Sequence, residues 1–284
     1  MFCTDDPNAL DEWLTVGPSS AIPSNGQVSA STLLGCDLQL KRTGPGAISC
    51  AAGPDELMTQ ERYGYVWVCP SGRPARDLFD LPEYTQSGRR IVDCGGIGIA
   101  TGALRIVENF LDMAHFPYVH TDLLGKVPRT EVMDYTVTAD QETDELWALD
   151  CRFWQPRASA SAEEGIEAAY KYRVMQPFTA ALYKSCVPRP DELDAIALFV
   201  QPLGHEASIA YCLLLYFEEV LSDTELISFQ QTIFAQDKPI LEGHVLKRTP
   251  LEGRLETPTR ADAMSIAYRR WLRDRRMTFS VLRS

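Results

Sequence analysis

The chain has 284 residues, 45% of them hydrophobic, which is enough to bury one large core or a domain and a half. Its formal charge of −12 argues against nucleic acid and anionic membrane as partners, because binding either needs a positive field over much of the surface. No run of eighteen apolar residues occurs, and the acidic start MFCTDDPNALDEW lacks the basic and apolar stretches of a signal peptide, so a cytoplasmic protein is expected. The eight cysteines are scattered singly, without C-x-x-C pairs, and read as reduced and mostly buried thiols.

Residues 13–75 alternate short β-like runs with turn signals: Gln27 to Leu34, Asp37 to Lys41, Gly44-Pro45-Gly46, Ala47 to Ala51, and Tyr63 to Cys69 before Pro70-Ser71-Gly72. Arg73 to Arg90 is rich in proline and charge and reads as a connector. This divides the chain into a small β unit (1–75) and a larger domain (76–284). From Ala103 to Ala114, Leu104, Val107, Phe110, Leu111 and Ala114 recur at helical spacing, while Glu108, Asp112 and His115 form a second stripe.

Strand patterning follows in Glu131 to Val137, Glu145 to Phe153, Ala168 to Met175, Ala180 to Val187, Ala195 to Val200 and Ala207 to Phe217. Short connections between them predict an antiparallel sheet. The polar stretch Ala158 to Gly165 reads as a loop. Ser222-Asp223-Thr224-Glu225 matches a capping box and opens a helix toward Asp237, with Pro239 expected to kink it. A last helix starts at Thr259, with Asp262 in the capping position. The fold class is therefore α+β, with one sheet gripped by helices that precede and follow it.

Two of the four histidines, His115 and His120, lie five apart in N-F-L-D-M-A-H-F-P-Y-V-H. On a continuous helix they would point about 140° apart and could not share a metal. Pro117 disfavours helical geometry just before it, so the helix is expected to end near His115 and the chain to bring His120 back. Two neutral imidazoles and one carboxylate on one face leave three positions open on Fe(II). Asp237 suits the third place, because its spacing from Ile233 and Phe234 turns an acid toward an apolar face, where it needs a cation. Asp112 is placed one turn before His115 to orient its imidazole, and Asn109 could point a polar group into the same cavity.

Plainer readings exist for each residue. An H-x4-H pair alone is more often two unrelated histidines, and Asp237 could pair with Lys238. Structural zinc usually takes four protein ligands, and no cysteine lies near either histidine in sequence. His205 looks like a turn residue, and His244 a solvated or structural one.

E-N-F-L-D-M-A-H-F-P-Y-V-H, with the later F-A-Q-D-K-P-I-L-E, resembles the catalytic domain of Rieske non-haem iron oxygenases, in the branch of N- and O-demethylases. The resemblance implies a helix-grip-like fold and an assembly of three subunits. It implies that Asn109 lines the site, that Asp112 bridges to an electron donor, and that His115, His120 and Asp237 hold one mononuclear Fe(II). The departure from the family is equally specific. A Rieske cluster needs C-x-H and C-x-x-H pairs in an N-terminal β domain, yet no histidine precedes His115. The strands that frame a cluster are recognisable in Leu33 to Leu40 and Tyr63 to Trp67, but the cluster-binding segment between Cys50 and Arg62 is missing.

Residues 1–75 are thus expected to be a truncated Rieske-like remnant with no [2Fe-2S] cluster. No G-x-G-x-x-G nucleotide loop occurs either. Electrons from NAD(P)H would then have to reach iron and O2 through a partner reductase that carries its own Rieske domain. The same resemblance implies N-demethylation of a small N-methylated heteroaromatic, such as removal of the N7-methyl group of 7-methylxanthine with loss of formaldehyde. Alternatives are an O-demethylase or aromatic hydroxylase of the family, a non-catalytic scaffold subunit, and a 2-oxoglutarate-dependent oxygenase. The last usually orders its ligands H-x-D then His, unlike this chain. Phe153, Trp154, Phe178 and Tyr183 are expected pocket linings. The basic run Arg269, Arg270, Arg273, Arg275 and Arg276 could dock a donor, although cations near a helix C-terminus are the plainer reading.

Overall fold

A computed structural model of the chain describes residues 1–156, 165–186, 188–252 and 255–282. Most of the expected 158–165 loop, and the end of the strand expected to reach Val187, lie outside these residues. The N-terminal part opens with a single helical turn, α1 (Pro7–Leu10). It then builds a six-stranded antiparallel sheet from β1 (Leu14–Pro18), β2 (Val28–Leu33), β3 (Cys36–Gly44), β4 (Ala47–Ala52), β5 (Asp55–Arg62) and β6 (Tyr65–Cys69), in the order β1-β6-β5-β4-β3-β2. The sequence reading overlooked β5. That strand forms a hairpin with β4, closed by the two residues Gly53 and Pro54 between the paired Ala52 and Asp55. Gly53 has φ +61°, which a glycine supplies at the first position of a tight hairpin turn.

The second sheet has seven strands, β7 (Arg90–Ile99), β8 (Thr136–Asp140), β9 (Glu145–Gln155), β10 (Ile166–Gln176), β11 (Thr179–Ser185), β12 (Leu193–Gly204) and β13 (Ala207–Tyr216), in the order β7-β13-β12-β11-β10-β9-β8. The first expected strand lies later than its pattern suggested, at Thr136 rather than Glu131. The edge strand β7 was not anticipated, because its D-C-G-G-I-G run carries turn-forming residues. It is held by pairing with β13.

Alternation along β11 and β12 sorts the two faces of this sheet. Ala181, Tyr183, Ala195, Ala197 and Phe199 face a core shared with Tyr65 and Trp67 of the first sheet. Leu182, Ile196 and Leu198 face the helices on the other side. Those helices are α2 (Ala103–Leu111), the short α3 (Phe116–Val119), α4 (Asp223–Gly243) and α5 (Ala263–Asp274). Ser222 and Glu225 form the expected capping box of α4, which continues through Pro239 to Gly243. The sheet lies between the helices and the N-terminal β unit, and the space under α2 and α4 forms the candidate site.

Candidate metal centre

Helix α2 ends at Leu111, a turn earlier than its apolar spacing predicts. Asp112 takes an extended conformation there and its Oδ1 accepts from the Ala114 amide at 2.7 Å, which turns the chain. Pro117 then starts α3 rather than ending α2. A proline fits the first turn of a helix, where its missing N–H would have no partner. His115 precedes this short helix and His120 follows it. The fold-back is tightened at Gly125, where an added Cβ would sit 2.6 Å from the Pro117 nitrogen.

The break brings His115 and His120 together, with their Nε2 atoms 3.1 Å apart. Asp237 arrives from α4, and its Oδ1 lies 3.1 Å from His120 Nε2 and 3.5 Å from His115 Nε2. The outer nitrogens fix the inner ones. His115 Nδ1–H donates to Asp112 Oδ2 at 2.9 Å, and His120 Nδ1–H donates to Gln236 Oε1 at 2.9 Å. Both Nε2 atoms therefore present lone pairs to the centre. Asp237 Oδ1 is buried there without any hydrogen-bond donor.

Three acceptor atoms cannot stabilise one another at such distances, and a cation between them removes the conflict. Donors on adjacent corners of an octahedron, each about 2.1 Å from a metal, lie about 3.0 Å apart. The donor set and spacing fit an Fe(II)-type facial site. His205 and His244 take no part. The first lies in the β12–β13 turn and accepts from the Ser280 amide through Nδ1, and the second caps the end of α4, exposed.

The cavity beside the triad is walled by Asn109 and Phe110 of α2, by Ile233 and Phe234 of α4, and by residues of the sheet. The expected linings lie elsewhere. Phe153 packs behind Phe116, Trp154 stacks under Arg129, Phe178 meets Phe279, and Tyr183 stacks on Trp147 across the opposite face of the sheet. Strand parity turns Tyr183 to the opposite face and sets Trp154 opposite Phe153, while Phe153 shares the helix-side face but is taken up by packing on Phe116; a pattern without register assigns none of this. On the sheet side the cavity is bordered instead by Gln155, Tyr170, Leu182, Lys184, Ile196 and Tyr216.

Asn109 borders both this cavity and an outer groove that holds Asp112, Arg270 and Arg273. The basic run is divided by packing. Arg269 pairs with Glu108 and Glu256, and Arg275 with Glu12 and Asp144 while lying 4.0 Å from the Trp271 ring centre. Arg270, Arg273 and Arg276 remain exposed.

A fold of this kind with such a site fits the class of non-haem iron oxygenases. The family described as Vanillate O-demethylase oxygenase C-terminal domain matches residues 99–276. The chain belongs to this family of Rieske-type non-haem iron oxygenases. It is 46% identical over 275 residues to the probable methylxanthine N7-demethylase NdmC of Pseudomonas sp. (strain TJI-51), covering 96% of this chain and 97% of that protein. It is 25% identical to the methylxanthine N1-demethylase NdmA of Pseudomonas putida, over 78% of this chain and 60% of that one. The solved structure of NdmA from Pseudomonas putida CBB5 superposes with a TM-score of 0.75 at 19% identity, over 95% of this chain and 92% of that chain. Dicamba monooxygenase bound to 3,6-dichlorosalicylic acid gives 0.76 at 13%, over 94% and 97%.

Sequence reasoning overlooked Gln236. Its only sequence mark is adjacency to Asp237, and nothing in a helical pattern says that residue 236 reaches His120. It also overlooked Lys184, which sits in a strand whose alternation was visible but whose facing side was not.

Proposed function

We propose that the chain is the iron-bearing component of an N-demethylase that acts on a methylxanthine, with the N7-methyl group of 7-methylxanthine as the preferred target. The observation that carries this reading is the convergence of three acceptor atoms, His115 Nε2, His120 Nε2 and Asp237 Oδ1, beside a mostly apolar cavity. The relatives supply the substrate class. Iron held there would supply oxygen activation. Asp112 and Gln236 keep both imidazoles in the tautomer that leaves Nε2 free, and the apolar walls exclude water from the methyl group. The overall change is insertion of one oxygen atom of O2 into an N-methyl C–H bond. Two electrons and two protons reduce the other atom to water, and the N-hydroxymethyl product then loses formaldehyde to leave N–H.

The two electrons come from NAD(P)H through a reductase that carries a Rieske domain, docking over Asp112 beside the exposed Arg270 and Arg273. Residues 1–75 are read as a Rieske-like remnant without a cluster, and 76–284 as the catalytic domain. Support comes from the absence of histidine before His115 and from the two-residue β4–β5 turn in place of a cluster-binding loop. A trimeric assembly is part of the same reading. The test is iron content together with product analysis on the full-length chain supplied with such a reductase. Stoichiometric iron, with formaldehyde and xanthine formed one to one from 7-methylxanthine, is expected. His120→Ala or Asp237→Ala should abolish both. Full turnover by the variants would remove the triad, and an iron-free protein would favour a scaffold subunit.

A further inference from the structure

On the sheet side of the cavity lie two hydrogen-bond donors with no acceptor among the described residues. Tyr170 on β10 and Lys184 on β11 are directly paired across the strands, so their side chains leave the same face side by side. Both border the cavity. The Tyr170 hydroxyl is buried without a partner among the described residues, and Tyr170 is 3% exposed. Tyr172, two residues along, also has an orphaned hydroxyl but lies outside the cavity lining.

Lys184 is buried, and its Nζ makes no hydrogen bond or ion pair among the described residues. It lies 4.9 Å from the Tyr216 ring centre. Burial pushes its amine below the usual lysine range, against the pull of Asp194, its neighbour on β12. The Asp194 carboxylate is committed to the Phe217 amide at 2.9 Å. An amine donates hydrogen bonds whether charged or neutral, so the recognition argument does not depend on its protonation.

A ligand that shut water away from two such donors without offering acceptors would cost several kcal/mol, on the order of the desolvation of each group. A ligand with acceptors on its far edge removes that cost. We infer that Lys184 Nζ and Tyr170 Oη form a recognition wall of the pocket and bind ring carbonyl oxygens of the substrate, selecting oxo-substituted heteroaromatic rings. This rests on the substrate reading above and adds the residues that would enforce it. The amide side chains on the border, Asn109, Gln155 and Gln230, can each offer a donor or an acceptor, so they fit a ring but do not choose one.

The test is equilibrium binding to the iron-loaded full chain of 7-methylxanthine and of 7-methylpurine, which lacks both carbonyls. Wild type should prefer the xanthine. Lys184→Met should weaken xanthine binding roughly threefold to hundredfold, the span from a neutral to a charged donor, and leave 7-methylpurine nearly unchanged. Tyr170→Phe, which removes one oxygen and keeps the packing, should cost the xanthine roughly threefold to tenfold and carries the test should the lysine variant not fold. A packing defect would weaken both ligands alike, so the ratio is the readout. A wild type without preference, or a ratio unchanged in the variants, overturns the inference and leaves demethylation standing. A wild type that binds no methylxanthine overturns the substrate reading and this inference with it.

Discussion

The inward lone pairs of the triad depend on two side chains that never face its centre. Asp112 was legible in the sequence because it sits one helical turn before His115, whereas Gln236 reaches His120 from an element 116 residues away. Gln236→Leu should therefore weaken iron binding about 10- to 100-fold, measured by competition with a chelator, while the fold stays intact. Elsewhere at this scale, Glu256 bridges Arg105 and Arg269. Burial raises its pKa, but the two guanidiniums prevail and hold the carboxyl down to about 2. Its stabilisation is complete above the ordinary carboxylate pKa near 4.5 and is lost as pH falls toward 2. Discounted for solvent screening it contributes about 1–2 kcal/mol. Glu256→Gln should lower the melting temperature at pH 6 and flatten its fall between pH 4.5 and 2, with the two proteins converging at the acid end. An unchanged slope would show the carboxylate to be uncoupled from folding.

The elements themselves were readable where one period dominates and harder where two rules compete. The strands β9 to β13 and the capped helix α4 follow from alternation and a capping box. The α2–α3 break was misjudged by one turn because apolar spacing continues through Ala114, while the Asp112 carboxylate captures the Ala114 amide and ends the helix first. Edge strand β7 was invisible to pattern because its glycines resemble a turn. Gly125 is the test of the loop that pairs the histidines. Gly125→Ala must move its neighbour by several tenths of an ångström or more against Pro117 backbone. The expected result is a folded protein that binds iron at least tenfold more weakly, on the scale of other displaced ligand supports. Circular dichroism paired with iron titration measures both halves. Unaltered iron affinity would mean that the loop can relax without moving His115.

In the whole molecule, the two sheets are joined by an aromatic layer in which Tyr65 and Trp67 each meet Phe199 edge-on, with centroids 5.0 Å apart, and Phe79 of the connector lies tilted against Phe199 at 5.9 Å. Polar ties run alongside. Gln201 donates to Ser31 and to the Thr32 carbonyl, and buried Arg173 grips Glu145 with two bonds of 2.7 Å while donating to the Asp80 carbonyl. The N-terminal β unit thus covers one face of the seven-stranded sheet, a role that needs no cluster. Residues 76–284 produced alone should expose Phe199, Tyr211 and Leu213, bind a hydrophobic dye and aggregate, whereas the full chain should unfold in one cooperative transition.

On the proposed function, iron held by His115, His120 and Asp237 receives its electrons from a partner. The most direct test is formaldehyde release from 7-methylxanthine by the iron-reconstituted full chain and NAD(P)H, with reductases that differ only in whether they carry a Rieske domain. Turnover is predicted with the Rieske-bearing reductase alone, and Asp112→Asn should slow it by at least tenfold without loss of iron. Equal turnover with the reductase that lacks a Rieske domain would contradict the account.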